Sequence, residues 1–208
     1  MSQGYCYAGS ELELFSQARN WKSYWSSQIR PFHRCARAQR WAGIGATSQV
    51  LCGPRQQSWV ALVADPKLAE EIGRRQLGNG GPGQCEIRVG TLADLVDTEL
   101  FNSILYIDVL EHIADDHAEF QRAVRHLAKG GFLIVLAPAH QFLFSPFDKS
   151  VGHYRRYNKR TLGSLAASDV ECVKLLYLDS VGLIASSANR FLLRSRMPTP
   201  AEIAVGVA

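Results

Sequence analysis

Residues 101–116 read FNSILYIDVLEHIADD, and this stretch decides the fold class. Five of its first seven residues are apolar or aromatic, which predicts a strand over 101–108 that is buried on both faces. A polar turn with Asp108, Glu111 and His112 follows at once, and a helix over 114–127 is expected after the turn. A buried strand that passes through a polar turn into a helix is the repeating unit of a parallel sheet with helices on both faces.

Units of the same kind lie on either side of this stretch. Strands are predicted at 58–64, 84–89, 132–137 and 170–177, and helices at 66–77, 158–167 and 181–193. Right-handed crossovers then give an α/β fold with a doubly wound, mostly parallel sheet. We predict a single domain over 1–208, with a helical N-terminal extension over 1–31 and an irregular loop over 138–157. We expect the antiparallel strand pair that usually closes such a sheet to be truncated.

Composition narrows the function classes. The chain has 208 residues, a formal net charge of +4 and five scattered cysteines without a CxxC pair, so we expect a reduced, cytoplasmic protein without a metal site. The most apolar run, 132–137, is too short to span a bilayer, and no signal peptide is evident, so no stable membrane insertion is expected. The positive charge is too small to indicate nucleic-acid binding.

Ligands of doubly wound sheets bind beyond the carboxyl ends of the strands. Gly43 and Gly45 form a glycine pair whose backbone allows close approach to an anion, or which forms a structural turn. Asp65 follows the strand predicted at 58–64, where an acid accepts hydrogen bonds from the ribose hydroxyls of a nucleoside cofactor. The alternative for Asp65 is the N-cap of a helix that starts at Pro66.

Two further places carry polar chemistry. His112 lies after the best-defined strand, where an imidazole with a pKa near neutrality can take a proton from an acceptor. The segment His153-Tyr154-Arg155-Arg156-Tyr157 follows the strand at 132–137, and its arginines can hold a carboxylate, phosphate or enolate. The alternatives are a solvated turn for the first place and a solvated basic loop for the second.

Three ordered stretches together resemble the class I S-adenosylmethionine-dependent methyltransferases: YIDVLEHIADD (106–116), AKGGFLIVLAPAH (128–140) and FDKSVGHYRRYNKRTL (147–162). The resemblance covers about residues 36–193. It is closest to small bacterial enzymes with this DVLEH segment, which include quinone-biosynthesis O-methyltransferases. It implies S-adenosyl-L-methionine as cofactor and methyl transfer to a small-molecule acceptor, most often at oxygen.

The resemblance also implies roles for individual residues. Ala42, Gly43 and Gly45 would pack under the methionine and ribose end of the cofactor. The remaining cofactor residues would be Asp65 at the ribose, Thr91 and Leu92 beside the adenine, and Asp108 and Val109 on the floor of the site. His112, His153 and Arg156 would be catalytic, with Arg156 placing an anionic acceptor.

The first cofactor motif departs from the family pattern. Gln39, Arg40 and Trp41 replace the usual acid, intervening residue and glycine, and half of residues 33–40 are His or Arg, so this segment is not strand-like. The family's ribose acid falls at Val63, two residues before Asp65. Compensating reading-frame shifts across 33–41 are one explanation, and loss of cofactor binding is another. The second explanation gives the alternative function, a methyltransferase-like binding or scaffold protein.

A nicotinamide-dependent oxidoreductase is a further alternative on a similar sheet. The dinucleotide-binding fingerprint requires a third glycine or alanine three residues after the second glycine. That place is Ser48, so the sequence does not favour this class.

Overall fold

The computed structural model describes residues 19–32, 37–40, 59–78, 85–166 and 169–178. Five strands form one parallel sheet: β1 Arg37–Arg40, β2 Trp59–Val63, β3 Cys85–Val89, β4 Phe101–Ile107 and β5 Leu127–Leu136. Their order is β3-β2-β1-β4-β5, so the chain winds outward in one direction from β1 and then in the other. The prediction of a doubly wound α/β fold is therefore confirmed.

The described helices are α1 Arg19–Ile29, α2 Pro66–Gly78, α3 Asp116–Arg125, α4 Pro146–Ser150 and α5 Lys159–Gly163. Helix α2 begins where the sequence predicts, since Asp65 Oδ1 accepts from the backbone N–H of Lys67 at 2.8 Å. Asp115 caps α3 in the same way, through Ala118 N at 2.9 Å. Short 3-10 turns occupy Arg30–Phe32, Leu92–Asp94, Leu110–His112 and Gln141–Leu143.

The core lies on both faces of the sheet because β2 and β4 are buried throughout or nearly so. Ile104 and Tyr106 of β4 face one cluster, while Leu105 and Ile107 face the other, as the two-residue period of a strand requires. Trp25 of α1 packs in the second cluster and is 2% exposed. Burial of such a side chain contributes roughly 1.5–3 kcal/mol, so it holds α1 firmly over this face.

The prediction that residues 33–40 are not strand-like is wrong for 37–40. Strand β1 is the central strand, and its Gln39 lies opposite Ala61 of β2 on one side and Leu105 of β4 on the other. The flanking strands β2 and β4 are apolar, and their backbone groups that face β1 would be unpaired without it. Backbone pairing with both neighbours therefore outweighs the low strand preference of RAQR.

Strand β5 begins earlier than predicted. We expected Lys129-Gly130-Gly131 to separate a helix from a strand at 132–137, but β5 runs through this segment from Leu127. The pairing register of β5 with β4 shifts between Phe101 and Ser103, which marks a bulge at this point. A Cβ at Gly131 would lie 2.8 Å from the carbonyl oxygen of Ala128, so the bulge requires glycine there.

The C-terminal predictions have mixed outcomes. The strand predicted over 170–177 is wrong, because the described residues 169–178 form a turn and irregular backbone. The helix predicted over 158–167 is confirmed in its first half as α5. The helix predicted over 181–193 and residues 1–18 of the N-terminal extension lie outside the described residues. None of the helices described reaches the combination of length and apolar character that crossing a membrane requires.

Candidate active site

The polar residues singled out in the sequence follow the carboxyl ends of adjacent parallel strands. Asp65 follows β2, Thr91 follows β3, Asp108 follows β4, and the loop that carries His153 follows β5. Because all pairs in the sheet are parallel, these residues lie along one edge. This edge is where ligands of doubly wound folds bind.

The backbone is strained where β4 and β5 reach this edge. Asp108 has φ 52° and His140 has φ 66°, in the left-handed region that non-glycine residues rarely adopt. Asp108 is fixed there by its backbone N–H, which donates to the Leu136 carbonyl at 2.8 Å. The His140 N–H donates to the Tyr157 carbonyl at 2.7 Å. Such strain concentrates at functional sites, where surrounding bonds enforce it.

Asp108 is exposed to solvent at this edge, yet the surrounding protein desolvates its side chain enough to raise the pKa of its carboxyl to about 6. His153 and Lys22 of α1 act in the opposite direction through their charge. Asp108 is therefore an accessible acid with a shifted pKa at the edge of the sheet where ligands of such folds bind.

Glu111 and His112 lie in the 3-10 turn Leu110–His112, which follows Asp108 in the chain. Glu111 is fully buried, and burial together with the nearby Asp108 and Asp148 raises the pKa of its carboxyl well above the usual range. Burial, followed by the neighbouring His153, lowers the pKa of His112 to about 4, so this imidazole is uncharged at neutral pH. Glu111 was noted in the sequence but was not among the predicted site residues.

The acceptor loop, defined as residues 138–157, brings the second predicted histidine to this turn. The rings of His112 and His153 meet edge to face, with centroids 4.6 Å apart and planes at 82°. The Tyr154 N–H donates to the Glu111 carbonyl at 2.8 Å, which ties the loop to the turn. Two residues 41 positions apart in the sequence therefore share one site.

Asp148 of α4 holds the acceptor loop together. Its carboxylate accepts from His153 Nδ1 at 3.0 Å, from Arg156 Nε at 2.7 Å and from the Ser145 N–H and hydroxyl at 2.8 Å each. Burial alone would raise the pKa of Asp148, but these hydrogen bonds, from His153 and Arg156 above all, hold the pKa well below its usual range. The sequence analysis missed Asp148, although the Ser145-x-x-Asp148 spacing of a capping box was a usable signal.

Both loop arginines are bonded to acids of the protein. Arg156 forms a two-point contact with Asp148, through Nε and through Nη2 at 3.1 Å. Arg155 pairs with Asp116 and donates to the Ala114 carbonyl at 2.6 Å. The structure therefore gives Arg156 a place in the loop, and its role in placing an anionic acceptor stays a prediction.

The predicted cofactor residues differ in where their side chains lie and in what they bond. Leu92 and Val109 are buried in the hydrophobic core beside β4. Thr91 caps the 3-10 turn Leu92–Asp94, with its hydroxyl accepting from the Ala93 N–H at 3.2 Å. Asp65 caps α2 with one carboxylate oxygen, as the structural alternative predicts. Ala42, Gly43 and Gly45 lie outside the described residues, so their predicted contacts with the cofactor stay predictions.

Comparison with known proteins bears on the fold. No protein-family model and no curated protein matches the chain. Among solved structures it is similar to the YcgJ protein from Bacillus subtilis, with a TM-score of 0.58, 17% identity and coverage of 67% of this chain and 64% of that one. It is similar to an S-adenosylmethionine-dependent methyltransferase from Clostridium acetobutylicum, with a TM-score of 0.50, 16% identity and coverage of 61% and 53%.

The mitomycin 7-O-methyltransferase MmcR is a third similar structure, with a TM-score of 0.56, 20% identity and coverage of 74% of this chain and 46% of that one. The chain therefore spans less than two thirds of each of these three proteins. Together with the strand order, these structures show that the chain has the fold of class I S-adenosylmethionine-dependent methyltransferases.

Proposed function

We propose that this protein binds S-adenosyl-L-methionine at the carboxyl edge of its sheet and transfers the methyl group to an oxygen atom of a small acceptor. The single observation that carries the proposal is the position of Asp108. Its carboxyl is accessible at the end of β4, its backbone is strained, and the charge of His153, whose ring meets that of His112, acts on it.

The residues at this edge fit the cofactor. S-adenosylmethionine carries a sulfonium and an ammonium group, and it offers ribose hydroxyls as hydrogen-bond donors. Asp108 is the exposed acid that would lie beside these cations, whereas Glu111 and Asp148 are buried. Asp65 and Thr91 lie at the ends of β2 and β3, where the ribose and adenine would bind.

The sulfonium supplies an activated methyl group and leaves as a neutral thioether. The chain's own contribution is to align the acceptor oxygen with the carbon–sulfur bond, and alignment of this kind accounts for about 7–11 kcal/mol of barrier in well-oriented reactions. Because the acceptor loop is hydrogen-bonded to the turn after β4, it would position the acceptor beside Asp108.

His112 and His153 are the proposed proton acceptors. The proton of the acceptor hydroxyl would pass to an imidazole nitrogen as the oxygen–carbon bond forms, a step that contributes roughly 10²–10⁴-fold in rate. Asp148 binds Nδ1 of His153 and so directs its Nε2 toward Glu111 and the site. A carboxylate that orients a histidine base is a recurrent arrangement in enzymes.

Calorimetric titration of the full chain with S-adenosylmethionine tests the proposal. We expect micromolar binding, and we expect Asp108→Ala to weaken it about tenfold to a hundredfold, since a hydrogen bond to a charged group contributes about 1.5–3 kcal/mol. Asp97→Ala is the matched control, because Asp97 is an exposed aspartate at a turn before β4.

The outcome also decides between the two functions kept open by the sequence. A folded chain that does not bind the cofactor would support the methyltransferase-like binding or scaffold protein. If the chain binds the cofactor but Asp108→Ala binds it equally well, the proposed position of the site is wrong. A screen of phenolic and sugar acceptors for S-adenosylhomocysteine release then identifies the acceptor.

A further inference from the structure

We propose that the acceptor loop and the helix and segment that follow it form a surface that docks this protein on an anionic lipid bilayer. This interaction goes beyond the proposed methyl transfer and does not depend on it. The centre of the surface consists of His140, Phe142, Lys159 and Tyr177, and we call these four residues the docking surface.

The side chains of the docking surface come from three segments of the chain and contact one another. The His140 ring stacks on Tyr177, with centroids 4.7 Å apart and planes at 24°, and its centroid lies 5.4 Å from that of Phe142. Nζ of Lys159 in α5 lies 5.1 Å from the centre of the Tyr177 ring, and the Lys159 N–H donates to Tyr177 Oη at 3.2 Å. The four residues therefore form one continuous patch.

Exposed apolar side chains are concentrated around the docking surface. Nine large apolar side chains are exposed in the part of the chain that the structure describes. Five of these nine lie in the acceptor loop or in the segment after α5: Phe142, Tyr154, Val173, Leu176 and Tyr177. Single exposed apolar residues are ordinary, whereas a group of them indicates contact with another molecule or with a membrane.

The positive charge of the chain is concentrated in the same region. Residues 138–178 contain six Lys or Arg and three Asp or Glu, an excess of three, while the whole chain contains 23 and 19, an excess of four. Lys159, Arg160 and Lys174 are exposed, whereas Arg155 and Arg156 are paired with acids of the protein. Exposed cations next to apolar side chains are complementary to a surface of anionic lipid headgroups.

The kinds of side chain favour a bilayer over a nucleic acid. Val173 and Leu176 are aliphatic, and aliphatic side chains do not provide the flat faces on which bases stack. At a bilayer they would bury apolar area below the headgroups, while Tyr177 would lie at the interface and the lysines would contact lipid phosphates. Because the acceptor loop follows β5, docking would bring the edge of the sheet that carries Asp108 to the bilayer.

Flotation of the full chain with lipid vesicles tests the proposal. At low salt we expect binding to vesicles of phosphatidylcholine and phosphatidylglycerol, and at least about tenfold weaker binding to vesicles of phosphatidylcholine alone. Binding to the anionic vesicles should weaken as salt is added, because salt screens interactions between exposed charges.

Two variants test the apolar and the charged part of the surface separately. Phe142→Gln, and Lys159→Gln combined with Arg160→Gln, should each weaken binding to the anionic vesicles about tenfold. Val96→Gln and Lys129→Gln are the matched controls and should bind as the original chain does. Val96 is an exposed apolar residue between β3 and β4, and Lys129 is an exposed cation near the amino end of β5. Circular dichroism verifies that each variant is folded.

The proposal is overturned if the original chain binds neither kind of vesicle, if it binds both equally, or if either variant binds as tightly as the original chain. A single-stranded RNA oligonucleotide provides a further comparison. If it binds the chain and the vesicles do not, the surface is a nucleic-acid site and the proposal is wrong. Titration with S-adenosylmethionine in buffer without vesicles is independent, so failure of the docking surface leaves the proposed function standing.

Discussion

Two buried carboxyl groups lie on either side of His153, and they differ in how their oxygens are hydrogen-bonded. Asp148 of the acceptor loop accepts hydrogen bonds from His153, Arg156 and Ser145. Neither carboxyl oxygen of Glu111, in the turn after β4, has a hydrogen-bond partner among the other residues that the structure describes. A fully satisfied carboxylate stabilises the fold, whereas an unsatisfied one destabilises it and is retained for a ligand or a reaction.

The same contrast extends to the two regions that carry these residues. The acceptor loop is bonded a second time through Asp116, which accepts from Tyr157 Oη at 2.7 Å and pairs with Arg155. The turn after β4 instead concentrates Asp108, Glu111 and His112, whose pKa values are all shifted by burial. The loop is therefore the rigid support, and the turn holds the groups available for chemistry.

The largest expected change in the free energy of unfolding comes from a substitution in the acceptor loop. Asp148→Ala should lower the free energy of unfolding by about 3–5 kcal/mol, because it leaves the Arg156 guanidinium partly buried without its partner. Urea denaturation followed by circular dichroism measures this loss. Asp97→Ala, at an exposed position, should change the stability by less than about 0.5 kcal/mol. A loss as small as the control's would show that Asp148 does not support the loop.

Asp116 bonds the acceptor loop at a second point. Its substitution should change the free energy of unfolding by less than that of Asp148, and the change should depend on pH in a defined way. Burial tends to raise the pKa of Asp116, but the hydrogen bonds from Arg155 and Tyr157 lower it overall. A lowered pKa in the folded chain adds stability above the unfolded value near 3.8, and this stability is lost as the pH falls through the folded pKa. Asp116→Asn should therefore cost about 1–2 kcal/mol at pH 7 and progressively less as the solution is acidified below pH 4.

Asp115→Asn is the matched control for this experiment. Asp115 is the neighbouring acid and caps α3, and asparagine caps helices about equally well. Denaturation midpoints at pH 7, 5, 4 and 3 compare the two variants. A pH-independent difference between Asp116→Asn and the original chain would show that the Asp116 charge is not what the loop uses.

Sequence alone predicted the parts of the fold that depend on local pattern. The apolar runs at 59–63 and 101–107, and the Asp65-Pro66 helix start, formed the predicted elements. The strand Arg37–Arg40 was missed because its formation depends on the two strands that flank it, and local residue preference carries no information about them. The bulge at Gly131 was taken for a break for the same reason.

The sequence singled out His112 and His153, which the structure brings together, but their catalytic roles stay predictions. The sequence did not show that Asp148 would bind both His153 and Arg156. Arg156 looked available for an acceptor because a surface arginine and a paired arginine are identical in sequence. Which carboxyl pairs with which cation depends on three-dimensional packing, and this information enters only with the fold.

The smallest expected change in stability has the opposite sign, and it tests the contrast between Glu111 and Asp148 most directly. Glu111→Met replaces a buried carboxyl, which has no hydrogen-bond partner among the other described residues, with an apolar side chain of similar length. It should therefore leave the stability unchanged or raise it by about 1 kcal/mol. Glu119→Met is the matched control, because Glu119 is equally buried but accepts from Tyr106 Oη at 2.6 Å and from Arg122. This control should lower the stability by about 2 kcal/mol.

Urea denaturation of the two variants in parallel decides between the two outcomes. If Glu111→Met is as destabilising as Glu119→Met, Glu111 supports the fold in a way that its hydrogen bonding does not reveal, and the contrast with Asp148 fails. If Glu111→Met is neutral or stabilising, the Glu111 carboxyl is kept at the expense of stability, as functional groups in proteins often are. The two buried acids beside His153 would then differ in role, because Asp148 would support the loop and Glu111 would not.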